Sequence, residues 1–113
     1  MANIYKNAFF DPSDTANTVV YATDNLTRAI IQNIQVTNEG GSKVVRVYVF
    51  DKSNSNTATQ VAYASITGPT ICNVAKGPII LEEEDTIVMS SSDTTGISAT
   101  VSILEVNRGL NQQ

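Results

Sequence analysis

The 113-residue chain contains no histidine, no tryptophan and a single cysteine. Without an imidazole, Ser/His and Cys/His nucleophilic catalysis is excluded, and so is a zinc site built from histidine and cysteine. Cys72 has no intrachain disulfide partner and no histidine to activate its thiol, so its expected role is that of a small buried apolar side chain. Basic residues are scarce, seven Lys and Arg against eleven Asp and Glu, giving a net charge of -4. They are scattered from Lys6 to Arg108, whereas a nucleic-acid groove needs clustered cations to displace counterions. Nucleic acid is therefore not expected as a partner. No apolar run approaches the roughly eighteen residues that span a bilayer. The opening MANIYKNAFFDPSD has neither a basic region nor the long apolar stretch of a secretory signal. The expectation is a protein made in a cytoplasm and remaining soluble, without a membrane partner. Gly40 and Gly41 lack the further glycine or the Gly-Lys of a phosphate cradle, and no cofactor is expected.

The residues that are abundant favour strands and turns. Ser, Thr and Asn make up close to a third of the chain, and β-branched residues dominate its apolar set. In KVVRVYVF, residues 43–50, Val45, Val47 and Val49 point one way and Val44, Arg46, Tyr48 and Phe50 the other. GISATVSILEV, 96–106, alternates in the same manner until Leu104 and Val106 break the pattern, which suggests a bulge or a second buried contact. In RAIIQNIQVTN, 28–38, Ile30, Ile34 and Val36 fit one strand face with Gln32 as a gap, and NEGG at 38–41 reads as a hairpin connection to the next strand. NTVVYAT (17–23), QVAYASI (60–66) and DTIVM (85–89) supply further strands, and DKSNSNTATQ (51–60) reads as a polar surface loop. The prediction is an all-β chain: a single antiparallel, jelly-roll-like β-sandwich of seven or eight strands. Residues 17–107 form this domain, 1–16 an N-terminal arm or edge strand, and 108–113 a C-terminal tail.

Four consecutive acids, Glu82 to Asp85, stand between two apolar runs. A hard cation needs oxygens converging from several directions, while neighbouring strand residues point to opposite faces. The run is therefore expected to mark a turn, with no metal site and no catalytic pair. The loop from Asp51 matches a calcium-loop register at only three positions, lacking the central glycine and the closing glutamate. No catalytic residues are assigned, and the chain is not expected to be an enzyme.

Two stretches are too apolar for open solvent. Ile4, Tyr5, Phe9 and Phe10 precede the repeating strand pattern, and Tyr48 and Phe50 share a strand face with Arg46. Mixed aromatic, aliphatic and arginine surfaces of this kind suit a subunit interface, so these seven residues are the candidate interface set.

The order AIIQNIQVTNEG, KVVRVYVFD, a variable loop, GPIILEEEDTIVMSSS and ATVSILEV resembles small virion proteins of tailed bacteriophages over about residues 17–106. The resemblance includes Leu81, Asp85 and Ile87 at the entry to the penultimate strand. Many of those relatives carry glycine just before the aspartate, where this chain has Glu84. The resemblance implies a virion structural protein, foremost a capsid decoration or cement protein. It implies contacts with the major capsid protein or other virion proteins and a symmetric homo-oligomer such as a trimer. A tail, neck or fibre component is the alternative in the same class. A carbohydrate-binding module using exposed aromatics is the alternative from another class, ahead of a small hydrolase.

Overall fold

A computed structural model describes residues 2–107. The alternating segments become nine strands: β1 (Ala2–Phe10), β2 (Thr18–Ala22), β3 (Thr27–Asn38), β4 (Ser42–Asp51), β5 (Thr57–Thr67), β6 (Thr70–Asn73), β7 (Ile79–Leu81), β8 (Thr86–Ser91) and β9 (Ile97–Asn107). One 3-10 turn, Lys52–Asn54, is the only helical segment among the described residues, and none of them forms a helix able to cross a membrane.

The first sheet has the order β1-β9-β3-β6, with β7 also on β3; the second has the order β2-β8-β4-β5. All pairings are antiparallel. Consecutive strands thus change sheets at every connection except β4–β5 and β6–β7, which is the winding of a jelly roll. The nine strands exceed the expected seven or eight because β6 and β7 share one position. They pair with successive parts of β3, β6 opposite Gln35–Asn38 and β7 opposite Ala29–Ile31. Pro78, which has no N–H to donate, stands in the Val74–Pro78 interruption between them.

The core lies between the sheets. Ile31, Ile34, Val36, Val101 and Ile103 from the first sheet meet Val45, Val47, Ile87 and Met89 from the second, all at most 1% exposed. Each such side chain contributes about 1.5–3 kcal/mol by leaving water. Cys72 is half-buried against this cluster, in keeping with its apolar role.

Several local expectations need correction. NEGG is no hairpin, because β3 and β4 belong to different sheets and the segment crosses between them. The bulge lies in β3, between Ile31 and Asn33 opposite β9, so Ile31 and Ile34 both face inward and Ile30 faces out. β9 runs in unbroken register with β1, and Leu104 and Val106 simply occupy its outward face. The loop after Asp51 is also shorter than read, since β5 begins at Thr57.

The N-terminal strand β1 pairs along its whole length with β9 of the same chain, from Ala2 opposite Asn107 to Phe10 opposite Ala99. Phe10 is 1% exposed within the chain's own core. As an interface residue it is therefore a correction: its ring already fills the space beside Ala99. The expected tail, 108–113, lies outside the described residues.

Candidate interaction surfaces

The acid run forms the β7–β8 turn. Asp85 is buried, and its two carboxylate oxygens accept from the Glu82 N–H at 3.0 Å and the Lys52 N–H at 3.1 Å. Thr23 joins the same knot, its hydroxyl donating to the Glu82 carbonyl at 2.7 Å and its N–H to the Asp85 carbonyl at 3.0 Å. Glu83 lies against Arg28, with Nε 3.1 Å from both carboxylate oxygens. Glu84 takes φ 68, the left-handed region where glycine is at ease. Glu83 and Glu84 thus turn away from Asp85, while Glu82 stays beside it in the turn.

A convergence that local spacing does not reveal comes from a different strand. Asp51, at the end of β4, brings its carboxylate within 4.8 Å of those of Glu82 and Asp85. Asp51 accepts from the Ser53 N–H and hydroxyl, at 3.0 and 2.7 Å. The Asp51 bonds shape the β4–β5 connection, and the Lys52 N–H to Asp85 bond fastens it to the β7–β8 turn. If a cation were held in this region, these three carboxylates would be its ligands.

The opposite end of the sandwich is closed by a buried lysine. Lys43 Nζ donates to Asn38 Oδ1 at 2.8 Å and to the Gly40 carbonyl at 2.7 Å. Asn38 Nδ2 in turn donates to the Gly41 and Gly68 carbonyls at 3.0 and 3.1 Å. The β3–β4 and β5–β6 connections are thereby joined. Gly96, at φ +66, borders this network, and a Cβ there would come within 3.2 Å of Lys43 Nζ.

Between these ends, the two outward sheet faces carry unequal surfaces. On the first sheet, Tyr5, Leu104, Ile30 and Ile80 stand directly opposite one another across β1, β9, β3 and β7. They form one apolar row four strands wide, in which Tyr5 is 74% and Ile80 55% exposed. Phe9 shares this outward face of β1, 65% exposed, opposite the polar Thr100. Ile4 has inward register opposite Glu105 yet remains exposed at the open margin.

On the second sheet, Arg46, Tyr48 and Phe50 point outward, each half-buried. The Arg46 guanidinium lies 5.2 Å from the centre of the Tyr63 ring on β5, within cation–π range. Val88 lies opposite both Val19 and Tyr48, and a shallow apolar depression of about 290 Å³ opens beside Phe50 and Val88.

The structure therefore divides the candidate set. Tyr5 and Phe9 lie outward on one sheet, Arg46, Tyr48 and Phe50 outward on the other, and Phe10 inside. Ile30, Ile80, Leu104 and Tyr63 were missing from it. Leu104 had left a trace, since it broke the alternation of its strand. Ile30 was hidden by the bulge, which reverses the inward and outward assignment across Gln32.

No protein-family model matches the sequence, and no curated protein matches it. Among solved structures, the chain is similar to part of a protein of the T13 viral particle of infectious bursal disease virus, at 8% identity and a TM-score of 0.58, covering 96% of this chain and 32% of that one. It is also similar to a pentameric capsid protein from metagenomic phage sequences, at 15% identity and a TM-score of 0.45, covering 94% of this chain and 64% of that one. A further similarity is to a CBM22-GH10 xylanase structure from Clostridium thermocellum, at 9% identity and a TM-score of 0.46, covering 77% of this chain and 17% of that one. The chain spans about a third of the length of the bursal disease virus protein, and what they share is the two-sheet β fold.

Proposed function

We propose that this chain is a virion structural protein, foremost a capsid decoration or cement protein that binds the major capsid protein or another virion component. The observation that carries the reading is the apolar row Tyr5–Leu104–Ile30–Ile80, placed in register across four strands on an outward face. Water contact with such a row is costly, and a neighbouring subunit would relieve it. The fold shared with a viral-particle protein supports the same reading. Phe9 extends this surface along β1 and Ile4 adds an exposed apolar side chain at its margin, while Arg46, Tyr48 and Phe50 offer a second contact on the opposite sheet. Two contact faces on opposite sides suit a subunit that bridges neighbours, and a homo-oligomer such as a trimer would present one face of every copy to the shell.

The test is to add the purified chain to capsids assembled without it and to image them. Added density at regular shell positions, lost when Tyr5 and Ile80 are both replaced by Asp, is expected. Folded protein that leaves the shells bare would overturn the decoration role and direct attention to the tail, neck or fibre. Retention on a glycan array through the exposed Tyr63 would instead favour a carbohydrate-binding module.

A further inference from the structure

The two sheets expose their edge strands differently. An unpaired edge is a template for another strand, and proteins blunt such edges with short strands, prolines, bulges or inward-pointing charges. Here β2 has five residues and a register irregularity against β8. β6 has four residues and follows Pro69, while β7 has three and follows Pro78. β1 is longer but sets Lys6 in the inward register opposite Ile103, with its ammonium 3.4 Å from Glu105.

β5 is the exception among the described residues. It is eleven residues long, TATQVAYASIT, pairs only with β4, and contains neither a charge nor a proline. Its one irregularity leaves Val61 without a partner on β4, after which Ala62–Thr67 run in regular register. All but Ile66 of these six are at least partly open, and Tyr63 is 55% exposed.

The chemistry of this edge selects its occupant. A twofold contact sets each strand antiparallel to its own copy, so any charge on it meets the same charge nearby, which destabilises pairing. A strand meant for a different protein gains specificity from charges that its partner complements. An uncharged edge on a chain of net charge -4 fits the first case. We infer that β5 is a self-association edge. Ala62–Ile66 pairs antiparallel with the same segment of a second copy about Ala64, Tyr63 opposite Ser65, joining two four-stranded sheets into one of eight strands and bringing the two Tyr63 rings into diagonal contact. The contact holds whether or not the chain belongs to a virion. It doubles whatever assembly the sheet faces build.

Tyr63 and Ser65 point outward and are exposed, so Tyr63→Lys/Ser65→Lys should leave the sandwich intact, as far-ultraviolet circular dichroism will verify. Sedimentation equilibrium of the full chain at high micromolar concentration is expected to give an even-numbered particle whose mass halves in this variant. Hydrogen exchange should show the β5 amides protected in the parent in a concentration-dependent manner and exposed in the variant. A parent that is a monomer or a trimer would overturn the inference. So would a variant of unchanged mass, or association in which the β5 amides stay unprotected, since the contact would then lie elsewhere or belong to a different protein.

Discussion

Lys43 and Asn38 stand on strands of opposite sheets, and the lysine ammonium donates to the asparagine side-chain oxygen at 2.8 Å in a buried setting. Both residues are nearly inaccessible, Lys43 at 6% and Asn38 at 2%. Asn38→Ala should leave the ammonium without one of its acceptors and take the Nδ2 donor from the Gly68 and Gly41 carbonyls, of which Gly41 keeps the Gly68 N–H. The expected loss is about 3 kcal/mol of unfolding free energy. Lys43→Met alone should cost less, because an apolar chain of similar length fills the space. The double variant should be more stable than the two losses predict, and urea unfolding of all four proteins measures that coupling.

At the other end, Glu84→Gly should stabilise the protein. Glu84 holds φ 68, which costs a residue with a Cβ about 1–2 kcal/mol and glycine almost nothing, against a somewhat greater loss of chain entropy. A net gain of about 0.5–1 kcal/mol is expected in the same unfolding assay. Asp85→Asn should act in the opposite direction, losing about 2 kcal/mol, because the carboxylate accepts from the backbone amides of two separate turns.

The pH dependence follows from three groups. Asp24 lies below the ordinary carboxylate range, held there first by the Thr27 hydroxyl and then by the Leu26 N–H. Asp93 is lowered by the Thr94 and Thr95 N–H groups. A depressed folded-state pKa means stability that is present above the unfolded value and lost as the pH falls through the folded one, so the melting temperature should decline below about pH 4. Tyr21 is shifted upward, by burial first and then by its hydrogen bond to Glu105. Its stabilising share is intact below the unfolded value and declines as the pH rises above about 10. Tyr21→Phe should remove this alkaline component, and melting curves across the range will show whether it does.

How far the sequence could be read depended on whether local alternation matched the tertiary environment. In β4 it did: Val45 and Val47 are buried, Arg46 and Tyr48 face out, and the strand emerges as read. In β3 one extra residue at Gln32 reversed the phase, and a period of two cannot reveal such a slip without its partner strand. NEGG has turn composition, but composition does not say whether the next strand returns to the same sheet. β6 and β7 were missed because four and three residues are too few to establish a period. The acid run was legible as a turn, but the left-handed backbone at Glu84 was not, since a glutamate gives no sign of a positive φ. The meeting of Asp51 with Glu82 and Asp85 depends on the β4–β5 hairpin lying beside the β7–β8 crossing between sheets, which no local spacing encodes.

The N-terminal strand gives the clearest separation between folding and association, because Phe9 and Phe10 are neighbours with opposite surroundings. Phe10 is 1% exposed and Phe9 65%. Phe10→Ala should cost about 3–5 kcal/mol, since it empties a volume that the surrounding β-sheets cannot easily close. Phe9→Ala should change stability by less than about 0.5 kcal/mol, because its ring is already largely in water. Deleting residues 2–10 removes the whole β1 ladder, exposes the flank of β9 and takes Phe10 out of the core. The truncated chain is therefore expected to lose its cooperative thermal transition. If it melts cooperatively at nearly the parent temperature, the strand's pairing with β9 contributes little in solution and its place beside a neighbour becomes the better account. Phe9→Asp completes the comparison: it should fold like the parent, and loss of capsid binding in that variant alone would identify the outward face of β1 as part of the contact.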